Sequence, residues 1–168
     1  MSSASARSAA RFAHVSLIAE DWRRLADFYR DVFGCIPIPP ERDLHGTWLD
    51  RATGISGARI RGIHLRLPGF DNAGPTLEIF EYAPSCERTP KVLNELGFAH
   101  VAFAVEDVRA AIHAVLEGGG SLVGELTERA IPGAGTITFQ YVADPEGNAI
   151  EIQRWSLAAP SRRAAGSL

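Results

Sequence analysis

The segment "FAHVSLIAED", from Phe12 to Asp21, is written a second time as "FAHVAFAVED", from Phe98 to Asp107. The copies agree at Phe, Ala, His, Val, Glu and Asp, and their differences keep the pattern apolar. Self-similarity of this kind marks a duplicated supersecondary unit, and it restricts the possible folds more than composition does. The residues after each copy agree as well. After the first, in "DWRRLADFYRDVFG", Asp21 can cap a helix, Trp22, Leu25, Tyr29 and Val32 recur at helical spacing, and Gly34 stands where a helix would stop. After the second, in "DVRAAIHAVLEGGG", Asp107 is the cap, Val108, Ile112 and Val115 form the stripe, and Gly118 to Gly120 end it.

Strand-like runs come after each helix. They are "TWLD", "RIRGIHLRL" and "PTLEIFEY" in the first half, and "SLVGEL", "TITFQYV" and "NAIEIQRW" in the second. The turn "ADPEGN" precedes the last of them. Each half therefore reads β-α-β-β-β. The expectation is an α+β protein of two tandem modules, residues 12–83 and 98–156, each a mixed sheet covered by helix on one face. Residues 84–97 form a linker with a short helix predicted from Pro90 to Leu96. Residues 1–11 and 157–168, small and polar, read as disordered tails.

A chain of 168 residues buries enough surface to need no disulfide staples, and its 46% hydrophobic and 22% charged residues are those of a globular protein. The net charge of −3, without long runs of one sign, argues against a nucleic-acid or anionic-membrane partner. No apolar run approaches the roughly 20 residues of a membrane span, and the N-terminus lacks a secretory apolar stretch. Cys35 and Cys86 are in no metal or redox spacing and read as free thiols, with a cytoplasmic location as the default.

Strand alternation separates two faces. In the first strand Ala13, Val15 and Leu17 oppose His14, Ser16 and Ile18. In its second copy Val101, Phe103 and Val105 oppose His100, Ala102 and Ala104. In "TLEIFEY" Leu77 and Ile79 oppose Glu78 and Phe80; in "AIEIQRW" Ile150 and Ile152 oppose Glu151 and Gln153. If the more apolar face packs on helix, His14, Glu78, His100 and Glu151 all point to the other side, one His and one Glu from each module. One such residue on an open face is ordinarily just solvated. Four, paired by an internal repeat, suggest one site. Two carboxylates withdrawn from water are costly unless paired. With two neutral imidazoles they carry −2, which a divalent cation neutralises. The N₂O₂ donor set suits Zn, Ni, Co, Mn or Fe.

On "FAHVSLIAEDWRRLADFYRDVFG", "TLEIFEYAP", "GFAHVAFAVEDV" and "DPEGNAIEIQRW", the chain resembles the vicinal oxygen chelate superfamily, also called the glyoxalase/bleomycin resistance/dioxygenase fold, over roughly residues 12–156. The resemblance implies paired βαβββ modules forming a cup around a metal that chelates two neighbouring substrate oxygens. The His-Glu-His-Glu order is similar to that of glyoxalase I. Carried over by position, it implies His14, Glu78, His100 and Glu151 as metal ligands, Glu78 and Glu151 as catalytic carboxylates, and Glu151 as the base. The metal would polarise a carbonyl or hydroxyl oxygen while a carboxylate moves a proton between neighbouring carbons. A homodimer is a further expectation, with ligands drawn from one chain or two. Two other activities of the family are weighed beside this one: an Fe(II) ring-cleaving dioxygenase, against which a fourth ligand counts, and a resistance protein that sequesters a drug or metabolite without a reactive metal. The family's bacterial glyoxalases I commonly carry Arg four residues after the first His and Asn four residues after the first Glu. Ile18 and Tyr82 stand there instead and argue against glutathione.

Other residues are candidates for contact with a small-molecule substrate. His64 and Arg66 alternate with Ile63, Leu65 and Leu67 and should share the ligand face, Arg66 as an anion contact and His64 as an acid or base. Gln140 or Tyr141 should reach that face, and Trp48, Phe80 and Trp155 are aromatic residues able to wall a pocket. His45 reads as a loop histidine and His113 as an exposed one.

Overall fold

The computed structural model describes residues 10–87, 89 and 92–156, so the tails expected at 1–11 and 157–168 lie almost wholly outside the described residues. In chain order the elements are β1 (His14–Ile18), α1 (Trp22–Phe33), β2 (Ile36–His45), α2 (Thr47–Thr53), β3 (Arg59–Arg66), β4 (Thr76–Ala83), β5 (Val101–Ala104), α3 (Val108–Glu117), β6 (Ser121–Ile131), β7 (Gly135–Ala143) and β8 (Ala149–Ser156). They form two four-stranded mixed sheets of the same design. The orders are β1-β4-β3-β2 and β5-β8-β7-β6, each with one parallel pair and two antiparallel ones. This is the α+β duplication expected from the repeated decamer.

The chain divides into two compact units. One contains β1 to β4, α2 and the first part of α1 through Ala26; the other contains Asp27–Phe33, α3 and β5 to β8. In the first unit Leu65, Leu77 and Ile79 sit side by side across β3 and β4 and are almost fully buried. At roughly 1.5–3 kcal/mol each, their burial fixes which face of the sheet turns inward. In the second unit Val142, Ile150 and Ile152 do the same, and α3 packs across β6, β7 and β8. Asp107 caps α3 as expected, accepting from the backbone of Arg109 at 2.8 Å and Ala110 at 3.1 Å.

Several expectations are corrected. The run "TWLD" is not a strand: Thr47–Thr53 is helix α2, closed at Gly54, whose φ of 73° suits glycine. Its Asp50 carboxylate accepts from the amides of Gly57 and Ala58 at 3.0 and 2.9 Å, tying the helix to the start of β3. The missing strand is "IPIPPERDLH". Its prolines hide it from pattern reading, but β2 is an edge strand, where a lost amide donor is tolerated, and its register shifts between Ile38 and Arg42. His45 ends this strand rather than lying in a loop. Helix α1 was expected over its own sheet. From Asp27 onward it belongs with the second unit instead: Phe33 stacks on Phe103, rings parallel within 9° and centroids 4.1 Å apart. Its apolar stripe specified a buried face but not the partner. Of the helix expected at 90–96, residues 93–96 form turns and bends, Val92 has no regular structure, and Pro90 and Lys91 are outside the described residues.

Candidate functional site

The register places His14, Ser16 and Ile18 on the same face as Thr76, Glu78 and Phe80, and that face continues through Gly62, His64 and Arg66 of β3. Glu78 is carried by β4, which has a strand on either side, so its side chain is only 12% exposed. Its Oε1 lies 3.5 Å from His14 Nδ1 and 3.3 Å from His64 Nε2. The Thr76 hydroxyl stands 3.4 Å from the other nitrogen of His64, and the Phe80 ring meets the imidazole edge-on at 5.6 Å. Burial is the main reason His64 gives up its proton more readily than a free imidazole; Glu78 opposes this, and Arg42 and His14 add to it.

Gly62 makes room for this arrangement. A Cβ there would meet the Ile79 carbonyl oxygen at 2.0 Å and the Phe80 ring at 2.4 Å. Phe80 is itself buried with Leu49, Ala58 and Ile60, so it is core rather than an open pocket wall, and Trp48 on α2 is 52% exposed.

The second unit repeats the pair. His100 immediately precedes β5, and Glu151 lies opposite Ala102 on β8. Their closest atoms, Nε2 and Oε2, are 3.0 Å apart, with the Glu151 side chain 14% exposed. Tyr141 is paired with Glu151 in the β7–β8 register, as His64 is with Glu78 in the first sheet. Its ring meets that of His100 at 5.2 Å. Burial, then the neighbouring Glu151 charge, raise the phenol's pKa, so it remains protonated at neutral pH. The choice between Gln140 and Tyr141 is thereby resolved. Gln140 is 3% exposed on the opposite face and donates to the Gly124 carbonyl at 2.9 Å.

Each unit thus offers one nitrogen and one oxygen donor, 3.5 and 3.0 Å apart. Two ligands of a tetrahedral zinc with bonds of ~2.0–2.1 Å stand roughly 3.3 Å from one another. Either pair therefore fits as two ligands of a divalent cation. Among the described residues no group of three or more His, Cys, Asp or Glu side chains is placed to hold a metal ion.

Other candidates lie elsewhere. His113 is exposed and pairs with Glu117 at 3.2 Å on α3. Trp155 is 43% exposed and donates to Gln153 at 2.9 Å. Cys35 is buried, which pushes its thiol up to about 12, and Cys86 is exposed; both are free. Two features were not anticipated. Arg42 reaches the His64 face from β2, the strand that proline disguised. Asp144, buried in "ADPEGN", accepts from Tyr29 115 positions earlier in the chain, a partnership no local signal announces. No helix among the described residues is long and apolar enough to cross a membrane.

Comparison with known proteins agrees with the fold. Residues 11–152 match the family model described as Glyoxalase/Bleomycin resistance protein/Dioxygenase superfamily. Among solved structures, a glyoxalase family protein from Bacillus cereus is similar with a TM-score of 0.75 and 20% identity, covering 90% of this chain and 99% of that one. A family enzyme from Burkholderia phytofirmans matches at 0.56 and 16%, over 88% and 100%. A glyoxalase I mutant from Zea mays matches at 0.59 and 19%, over 84% of this chain and 45% of that one. At such identities the structures speak for the fold alone. No curated protein matches the chain in sequence.

Proposed function

The chain belongs to the glyoxalase/bleomycin resistance protein/dioxygenase superfamily, and from that premise we propose that it is a metal-dependent enzyme of the glyoxalase type. On this reading it is a lyase or isomerase that binds two neighbouring oxygens of a small substrate and moves a proton between adjacent carbons. The observation that carries the reading is the duplicated pair: His14 with Glu78, and His100 with Glu151, at equivalent positions of two equivalent sheets. We assign these four side chains as the ligands of one divalent ion, Zn, Ni, Co, Mn or Fe, within one chain or across a homodimer.

A bound divalent cation supplies Lewis acidity, which lowers the cost of removing a proton beside a carbonyl. The chain's own residues do the rest. Glu151 is the base. Tyr141, its partner in the β7–β8 register, flanks it while it takes a proton. Glu78 is the second carboxylate, held between two imidazoles, and returns or stabilises the proton at the neighbouring position. The environments of the two carboxylates differ, phenol against imidazole, and this supports a division of labour. Ile18, 48% exposed on the His14 face, and Tyr82, packed against the Leu49 cluster, stand where glutathione-using relatives carry polar contacts, which supports a different substrate.

The test is turnover of 2-oxoaldehydes with added Zn or Ni, with and without glutathione, together with proton exchange from solvent deuterium oxide into 2-hydroxyketones. Exchange that needs metal and disappears in Glu151→Gln supports the reading. Metal-independent ligand binding, with no exchange under either metal, refutes it in favour of a sequestering protein.

A further inference from the structure

The arginines of the first unit divide by sheet face. Arg59 and Arg61 share the face of Ile63 and Leu65, and each has a carboxylate partner. Arg59 grips Asp43 with two bonds of 2.7 and 2.6 Å, and Arg61 pairs with Glu81. Arg23 pairs with Glu41 at 2.7 Å. The opposite face carries Arg42, in register with Gly62, and Arg66, two residues beyond His64. Both are half-buried. Arg42 donates to the Pro40 carbonyl and Arg66 to the Asn72 amide oxygen, both neutral acceptors. Among the described residues neither is ion-paired with a carboxylate.

Position gives this division its meaning. Residues 62, 64 and 66 succeed one another on one face at about 6.6 Å, so the two cations flank the His64–Glu78 pair. The one acidic group between them, Glu78, is already engaged by His14 and His64. Guanidinium groups whose partners in the fold are neutral oxygens are open to a charge-assisted, bidentate bond from an anionic ligand.

The duplication provides an internal control. In the second sheet the register shift falls at the corresponding place, and Thr127 and Ala143 occupy the positions of Arg42 and Arg66. The sheet design does not require cations there. They belong to the first unit alone, as a directional device for substrate would.

We propose that Arg42, with Arg66 as a second contact, receives an anionic group of the substrate, a carboxylate or a phosphate, beside the His14–Glu78 pair. This rests on the proposed function for which face is reactive, and its test is arranged to fail separately. The purified full chain is titrated by calorimetry at low salt with benzoate, phenyl phosphate and neutral benzamide, and its metal content is measured in the same preparation. At least one anion should bind at least about tenfold more tightly than benzamide, and R42Q should abolish that preference. R42K should retain part of it, R66Q should weaken it less, and R61Q on the other face should leave it intact. Which anion binds better identifies the group. An undiminished preference in both R42Q and R66Q, or an equal loss in R61Q, overturns the inference whatever the metal content. Metal-free wild type that still loses its preference through R42Q supports the anion site and removes the metal reading instead.

Discussion

Replacing Asp144 with Ala removes one acceptor from four donors. The residue is 2% exposed. One carboxylate oxygen accepts from the amides of Glu146 and Asn148, both at 2.9 Å; the other accepts from the Asn148 side chain at 2.8 Å and the Tyr29 hydroxyl at 3.0 Å. A hydrogen bond to a charged partner contributes about 1.5–3 kcal/mol. The Glu146 and Asn148 donors sit in a half-buried turn that water can reach, so their losses do not add in full. Counting one charged bond for Tyr29 and one for the turn gives about 3–6 kcal/mol. For a chain of this size that lowers Tm by roughly 6–24 °C. Thermal and urea unfolding followed by circular dichroism measure it. Tyr29→Phe should lose about 1.5–3 kcal/mol, and the double variant should show a coupling of about 1 kcal/mol. An Asp144→Ala protein within about 1 kcal/mol of wild type, or a coupling of zero, would refute the claim that this carboxylate ties α1 to the β7–β8 turn.

Burial raises the pKa of Asp144 even though Asn148, Glu146 and Tyr29 all donate to it. The fold therefore favours its protonated form. The stability this contributes is complete below the unfolded value of about 3.9 and is lost as pH rises through the folded one. The stability difference between wild type and Asp144→Asn should accordingly fall across that window, and a flat difference would show the carboxyl is unperturbed. Gly62→Ala should destabilise by more than a surface change, because its methyl group would enter the Ile79 carbonyl and the Phe80 ring; an unfolding midpoint equal to wild type would contradict that contact. Glu151→Gln should lower kcat about 10²–10⁴-fold at unchanged fold, and Tyr141→Phe by less, while altering the pH profile of kcat; equal activity in both variants would remove Glu151 as the base.

Much of the fold is legible in the sequence alone. The duplicated decamer announces two equivalent units, and the two-residue period of "TLEIFEY" and "AIEIQRW" puts each Glu on the face opposite the buried isoleucines. Both readings rest on local geometry, which a sequence records directly. The hidden features depend on distant partners. The prolines of β2 argue against a strand until its place at a sheet edge is known. Because β2 was hidden, so was Arg42, whose place opposite Gly62 exists only after the register shift. Thr47 and Trp48 favour strand by propensity, yet α2 forms because Gly54 and the Asp50 carboxylate close it. Tyr141 and Gln140 are neighbours on opposite faces, and only pairing with Glu151 decides between them.

The central claim is that the two His–Glu pairs serve one divalent ion. Elemental analysis of the purified protein, followed by metal titration of the His14→Ala and His100→Ala variants, tests it directly. The account predicts about one divalent ion per chain in wild type and at least a tenfold loss of metal affinity in each variant, since each removes one of four donors from the same ion. A wild-type protein that takes up no divalent metal, or either variant binding it as tightly as wild type, would contradict the account.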